Sequence, residues 1–263
     1  MRVVTNEKFI ARNAKIGRYA GIAAIVVLGA GVYLTFAHPE MVGPTFVLLI
    51  VGFVLSQVGI YFTNRWARPP RLDLQLTKAL KGLGRDYTLY HYSTPASHLL
   101  VGPGGVFVIV MRFQRGRITY SKGKWRQHGG LMLWYWRIFA QEGIGRPDLE
   151  IKAEVEAVEQ LLKENLPEED YEALKPVQAI LVFTDPRAEI DDVSEAPVPT
   201  VKIEDLKDTI KKLAKGKRLT GEQLKRIRRA LGDDPKHKNK AESSAKDEKA
   251  SKKDKDAKDK DKK

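Results

Sequence analysis

The chain has 263 residues, enough for one or two domains with a sizeable core, and carries 46 Lys and Arg against 33 Asp and Glu, a formal charge of +13. That balance favours anionic partners, nucleic acid or acidic lipid headgroups, without separating the two. There is no cysteine, which excludes disulfides, thiolate zinc sites and cysteine nucleophiles and fits a reducing compartment.

Residues 1–16 form a basic arm. Residues 17–36 (GRYAGIAAIVVLGAGVYLTF) and 41–62 (MVGPTFVLLIVGFVLSQVGIYF) are each apolar for about the ~20 residues that cross a bilayer. Four residues separate them, so 17–63 is predicted to be a tight transmembrane helical hairpin; Pro44 falls near the start of its helix, where a missing N–H costs little. The first run lacks a convincing small-residue cleavage site and a second span follows at once, which argues against a signal peptide. Arg2, Lys8, Arg12, Lys15 and Arg18 precede the hairpin, Arg65, Arg68 and Arg71 follow it, and the loop within it has no Lys or Arg. Both ends are therefore expected to be cytoplasmic, in a multi-pass protein of the plasma membrane. Neither span carries an acid or base in its middle, the mark of an anchor and not of a transporter. Gly17 with Gly21, and Gly52 with Ser56, have the spacing of close helix packing, although glycine is also ordinary usage in spans.

A Pro-Pro linker (64–71) leads into a soluble part. Residues 72–84 have the apolar spacing of an amphipathic helix closed by Gly84. Residues 88–92, 98–101 and 106–111 read as strands, and 118–120 with 124–127 as a hairpin around Ser121-Lys122-Gly123. A helix is predicted over 151–166, a buried strand over 177–183, and helices over 203–213 and 221–231, the last with a Thr220/Gln223 capping box. This order indicates a small α/β domain over 72–214 followed by a basic helix at 215–232. Residues 233–263 hold no aromatic and no apolar side chain larger than Ala, so they are expected to be a disordered Lys/Asp-rich tail, mainly solvating and at most weakly drawn to anionic membrane.

The residues that carry most information are HLLVGPGGVFVIVMRFQRGRI (98–118), then Trp125, RPDLEIKAEVEAVEQLL (146–162) and AILVFTD (179–185). With these, 72–213 resembles the nuclease-related domain (NERD), a relative of the PD-(D/E)XK restriction-endonuclease-like fold. The resemblance implies a mixed sheet flanked by helices, with a metal-binding Asp before the first hairpin strand and Glu-x-Lys on the second. His98 and Arg115-Gly116-Arg117-Ile118 fit the family pattern. However, Ser97 stands at the Asp position, Val110 at the Glu position and Arg112 at the Lys position. Asp73 takes roughly the place of a family acid in the first helix, and Glu150 replaces a family Gln.

Magnesium needs hard oxygen ligands, and alternation along a strand puts Val106, Val108, Val110 and Arg112 on one face, which offers no carboxylate and one guanidinium. From 87 to 141 there is no Asp or Glu and there are seven Lys or Arg; only acids such as Asp73, Asp86, Glu142, Asp148 and Glu150 remain to enter the site. No metal or other cofactor is therefore expected. His91, His98 and His128 lack diagnostic zinc spacing, Ser97-His98 is no triad signal, and Gly102-Pro103-Gly104-Gly105 is a hairpin turn, since no helix follows it.

The expected function is a membrane-anchored NERD-like domain that has lost nuclease activity and binds an anionic ligand, DNA or RNA first. Arg112, Arg115, Arg117, Lys122, Lys124 and Arg126 would contact phosphates, with Tyr120 and Trp125 stacking on bases. Singly, each of these is as readily a solvated charge or a core aromatic. The alternative is a membrane-surface or assembly protein that binds acidic lipid headgroups or protein partners. There, residues 131–139 (LMLWYWRIF) would place Trp134, Tyr135 and Trp136 at headgroup level, pack the core or form a dimer interface. A second alternative is an active metal-dependent nuclease with relocated ligands.

Overall fold

The computed structural model describes residues 1–139, 143–216 and 218–233; the tail beyond Asp233 and the Trp134 side chain lie outside the described residues. Two long apolar helices, α1 (Glu7–Ala37) and α2 (Val42–Phe62), stand as an antiparallel pair joined by a four-residue turn. Asn6 caps α1, its side-chain oxygen accepting from the Phe9 N–H at 3.0 Å. The pair is held by backbone proximity. A Cβ on Gly59 would lie 2.9 Å from the Gly21 nitrogen, and one on Gly52 would lie 2.6 Å from Leu28. Gly17, Gly21 and Gly52 are in this seam as their spacing predicts, and Gly59 extends it. Both helices are long and apolar enough to cross a membrane. Their apolar side chains face outward, with Ile25, Val26, Phe36, Val42 and Phe46 all exposed, whereas the core helix of a soluble protein would bury them. A single π-helical turn (Thr63–Ala67) continues α2 through the first half of the expected linker.

The domain is a three-layer α/β arrangement on a six-stranded mixed sheet. Its strands are β1 (Arg2–Thr5), β2 (Thr88–His91), β3 (His98–Gly102), β4 (Gly105–Arg112), β7 (Gln178–Phe183) and β9 (Thr200–Lys202), in that spatial order. A smaller sheet holds β5 (Gly116–Ser121) between β6 (Lys124–His128) and β8 (Ala188–Ile190). Six helices complete the domain: α3 (Leu72–Ala79), α4 (Leu131–Phe139), α5 (Pro147–Asn165), α6 (Glu168–Leu174), α7 (Leu206–Leu213) and α8 (Gly221–Ala230).

The hairpin β3–β4 is central and buried on both faces, which explains its unbroken apolar sequence. Leu100, Phe107 and Ile109 pack with Leu76 of α3, Leu80 just past its end, and Leu206 and Ile210 of α7. The alternate residues Leu99, Val106, Val108 and Val110 share a cluster with Val158 and Leu162 of α5 and Ile227 of α8. The capping box of α8 is present, with the Gln223 N–H donating to Thr220 Oγ1 at 3.3 Å and the Thr220 N–H to Gln223 Oε1 at 2.9 Å.

Two segments differ from their sequence reading. Residues 1–16 are no separate arm: β1 pairs in parallel with β2, Arg2 opposite Thr88 through Thr5 opposite His91, and α1 begins ten residues before the apolar run. Residues 215–232 are no appendage either, because Leu224, Ile227 and Leu231 are buried in the main core and Arg226 is paired with Asp170 of α6.

Candidate functional site

The end of the β3–β4 hairpin meets α5 on one side and the exit of α2 on the other. Ser97 sits just before β3, and Arg112 closes β4. The helical spacing of Glu150 and Glu154 brings both carboxylates onto the face of α5 that packs against β4. Arg112 Nη2 donates to Glu150 Oε2 at 2.6 Å. From the π-helical turn, Arg65 Nη2 donates to Glu150 Oε1 at 3.1 Å and to Ser97 Oγ at 3.2 Å. Ser97 Oγ in turn donates to Glu154 Oε1 at 2.6 Å. Arg112, Glu150, Arg65, Ser97 and Glu154 are thus one continuous network linking the sheet, α5 and the segment that follows α2.

Carboxylates therefore do reach the face that β4 alone leaves without them, and α5 supplies them. Their state differs. Burial pushes the Glu150 carboxyl upward, but Arg112 and then Arg65 outweigh it and hold the group below its ordinary range, ionised. Burial raises Glu154, only partly opposed by the Ser97 hydrogen bond, and its Oε2 has no hydrogen-bond partner among the described residues. Asp73 is buried too, but it grips its neighbour Arg71 through both oxygens at 3.0 and 2.6 Å. These residues do not fit a divalent cation. Both oxygens of Glu150 are taken by guanidiniums, Val110 offers no donor atom, and two fixed positive charges stand where a cation would. Among the described residues no three His, Asp or Glu side chains are grouped as ligands.

Behind this network lies a buried histidine pair. His91 and His98 meet Nδ1 to Nδ1 at 2.9 Å, and His91 Nε2 is 2.9 Å from Thr77 Oγ1. Such a contact needs one ring to donate and the other to accept. Burial drives His91 down to about 4 and His98 well below its ordinary value, so both rings are neutral near pH 7. His128 is remote from them, on β6, 2.9 Å from Thr119 Oγ1. The three histidines do not converge.

An aromatic cluster fastens the two long helices to the site. Tyr92 stacks on Phe9 (5.7 Å between ring centroids) and meets His98 edge-on at 5.0 Å; Trp66 packs against Phe62 at 5.2 Å and Phe9 at 6.1 Å. A cavity of about 230 Å³ remains in front of the network, lined by Tyr61, Arg65, Ser97, Arg112, Ile144 and Glu150 among others.

The remaining basic residues lie apart from Arg112. Arg115 rests over the Trp136 ring at 5.8 Å. On the small sheet the register sets Arg117 opposite His128, Thr119 opposite Arg126 and Ser121 opposite Lys124, so Arg117, Lys124 and Arg126 share one exposed face with Lys122 at its tip. Arg117 Nη2 is tied to Asp191 at 2.7 Å. Trp125, contrary to the expectation of a stacking platform, is buried, its N–H donates to Thr200 Oγ1 at 3.2 Å, and it offers no face for stacking. Tyr120 lies against it edge-on at 4.7 Å, half-buried.

Sequence reasoning overlooked Arg65 and Glu154. Glu154 had a legible sign, a carboxylate in line with Glu150 and Val158 on the buried stripe of α5. Arg65 had none, because its partners are 32 and 85 residues away.

Residues 74–184 match the family model described as the nuclease-related domain, NERD. The matched stretch runs from α3 to just past β7, so it includes the hairpin, Arg112, Glu150 and Glu154 but neither β1 nor Arg65. No curated protein and no solved structure matches the chain.

Proposed function

We propose that this chain, whose residues 74–184 are a nuclease-related domain, is a membrane-anchored binding protein whose metal chemistry has given way to an arginine–glutamate network, and that it binds nucleic acid. The observation that carries the reading is Arg112 Nη2 on Glu150 Oε2 at 2.6 Å, with Arg65 on the other oxygen: the carboxylate best placed to hold a metal is already neutralised twice. Phosphate contact falls instead to the exposed face of β5 and β6, through Arg117, Lys122, Lys124 and Arg126.

Anchoring rests on the two apolar helices with outward-facing side chains. The pairing of β1 before them with β2 after them supports a same-side placement of both flanks, and the absence of Lys and Arg from the connecting loop favours the cytoplasm for that side.

The test is binding of single- and double-stranded DNA and RNA by the full chain in nanodiscs of zwitterionic lipid, across a salt series. Affinity is expected to fall linearly with the logarithm of salt. Replacing Lys122, Lys124 and Arg126 together by Ala should flatten that slope by roughly 2–3. Binding indifferent to salt and to these substitutions refutes the nucleic-acid reading, and magnesium- or manganese-dependent cleavage refutes the metal-free one.

A further inference from the structure

One surface outside the network presents a cluster of exposed apolar side chains among the described residues. In α4, Leu131, Tyr135 and Phe139 recur every fourth residue on one face and are 89%, 47% and 46% exposed; Trp136 beside them is 37% exposed. Tyr135 and Phe139 pack ring to ring at 4.8 Å, so the face is preformed.

The position of α4 bears on what could cover it. Three successive residues between β4 and β5 reach three places in turn. The Phe113 ring lies under the Arg68 guanidinium at 5.9 Å, just past the π-helical turn that ends α2. Gln114 Nε2 donates to the Gly143 carbonyl at 3.1 Å, in the chain that follows α4. Arg115 lies over Trp136 of α4 itself at 5.8 Å. The apolar face is thereby held a few residues' reach from where α2 ends, which is level with a bilayer surface if α1 and α2 are spans. Its make-up, aromatic rings with Arg137 and Arg115 beside them, suits the zone between acyl chains and headgroups. A protein partner is less apt, since four side chains on a nine-residue helix fall well short of the ~800 Å² per partner of a stable interface.

We propose that α4 is a third, non-spanning membrane contact: it lies in the plane of the bilayer interface with Leu131, Tyr135, Trp136 and Phe139 inserted below the headgroups. The domain is then laid against the membrane at a fixed angle, and is not free to swing on its anchor. This rests on the reading of α1 and α2 as spans.

Because the chain contains no cysteine, single nitroxide labels can be placed without altering a wild-type background. The full chain in phosphatidylcholine/phosphatidylglycerol nanodiscs would carry Leu131→Cys, Tyr135→Cys or Phe139→Cys. Lys122→Cys serves as the water reference and Val54→Cys, exposed on α2, as the span reference. Collision with a water-soluble nickel complex should be about threefold or more lower at the α4 positions than at Lys122, with oxygen collision rising toward the value at Val54. Nickel access equal to that at Lys122, with Val54 still lipid-like, overturns the proposal alone. Low access to both relaxants means that protein covers the face, and also overturns it. A water-accessible Val54 removes the span reading, and the proposal with it.

Discussion

Arg65, three residues past the end of α2, donates to Glu150 Oε1 at 3.1 Å, on the carboxylate whose other oxygen accepts from Arg112 at 2.6 Å. The segment that follows the two apolar helices therefore supplies part of the domain's own interior, and those helices and the hairpin are one packed unit. Arg112, Glu150 and Arg65 are 12%, 27% and 29% exposed at their side chains, enough burial for the pairs to matter and for a missing partner to cost more than the pair contributes.

Replacing Glu150 by Gln leaves two guanidiniums facing a neutral amide. The expected loss is roughly 2–3 kcal/mol, read as a lower midpoint in thermal or denaturant unfolding of the full chain in detergent. Arg112→Met combined with Glu150→Gln should cost less than the two single changes added together, because the second removes the charge the first strands. Additive effects would show that the contact is energetically idle.

The histidine pair sets a pH dependence. Burial holds His91 at about 4 and His98 well below its ordinary value, while both titrate near 6.5 once unfolded. Below about pH 6.5 the unfolded chain therefore binds protons that the folded one refuses, and stability falls as pH drops from there toward 4. Above about 7.5 neither state binds them and the contribution is flat. Each group adds a slope that rises to at most about 1.4 kcal/mol per pH unit well below 6.5, so the pair approaches about 3 there. His98→Asn keeps a hydrogen-bonding partner for His91 and removes one titration; its slope between pH 6.5 and 5.5 should be about half that of the wild type. An unchanged slope would mean that the acid sensitivity originates elsewhere.

How much of this was legible follows from the range of each interaction. The hairpin β3–β4 is legible because a strand buried on both faces must be apolar without interruption, and α5 because its stripe has a period near 3.6. The vacancies at Ser97 and Val110 are likewise plain from residue type. What replaces them is not. Arg65 looks like one more positive charge beside a span, and β1 is four residues whose pairing partner begins 86 residues later. Trp125 shows the converse error. Local sequence offers an aromatic among bases, Lys122, Lys124 and Arg126, and only the tertiary fold shows that its ring is internal, with its N–H on Thr200.

The same non-local pairing governs how the protein can be divided. A chain starting at Pro70 looks like a complete domain from its sequence, yet it lacks β1 and Arg65. It bares the β2 edge from Thr88 to His91, an open ladder of backbone donors and acceptors, and strips one cation from Glu150. Such a truncation is expected to aggregate, or to unfold at a distinctly lower temperature than the full chain in detergent. Adding residues 1–6 as a peptide tethered by a flexible linker to Pro70 should recover part of the loss by refilling the edge. The loss of Arg65 should remain, and should appear as a stability deficit that Arg65→Met reproduces in the full chain. A Pro70 truncation as stable and monomeric as the full chain would show that β1 and Arg65 are dispensable to the fold, and with them the unity of anchor and domain.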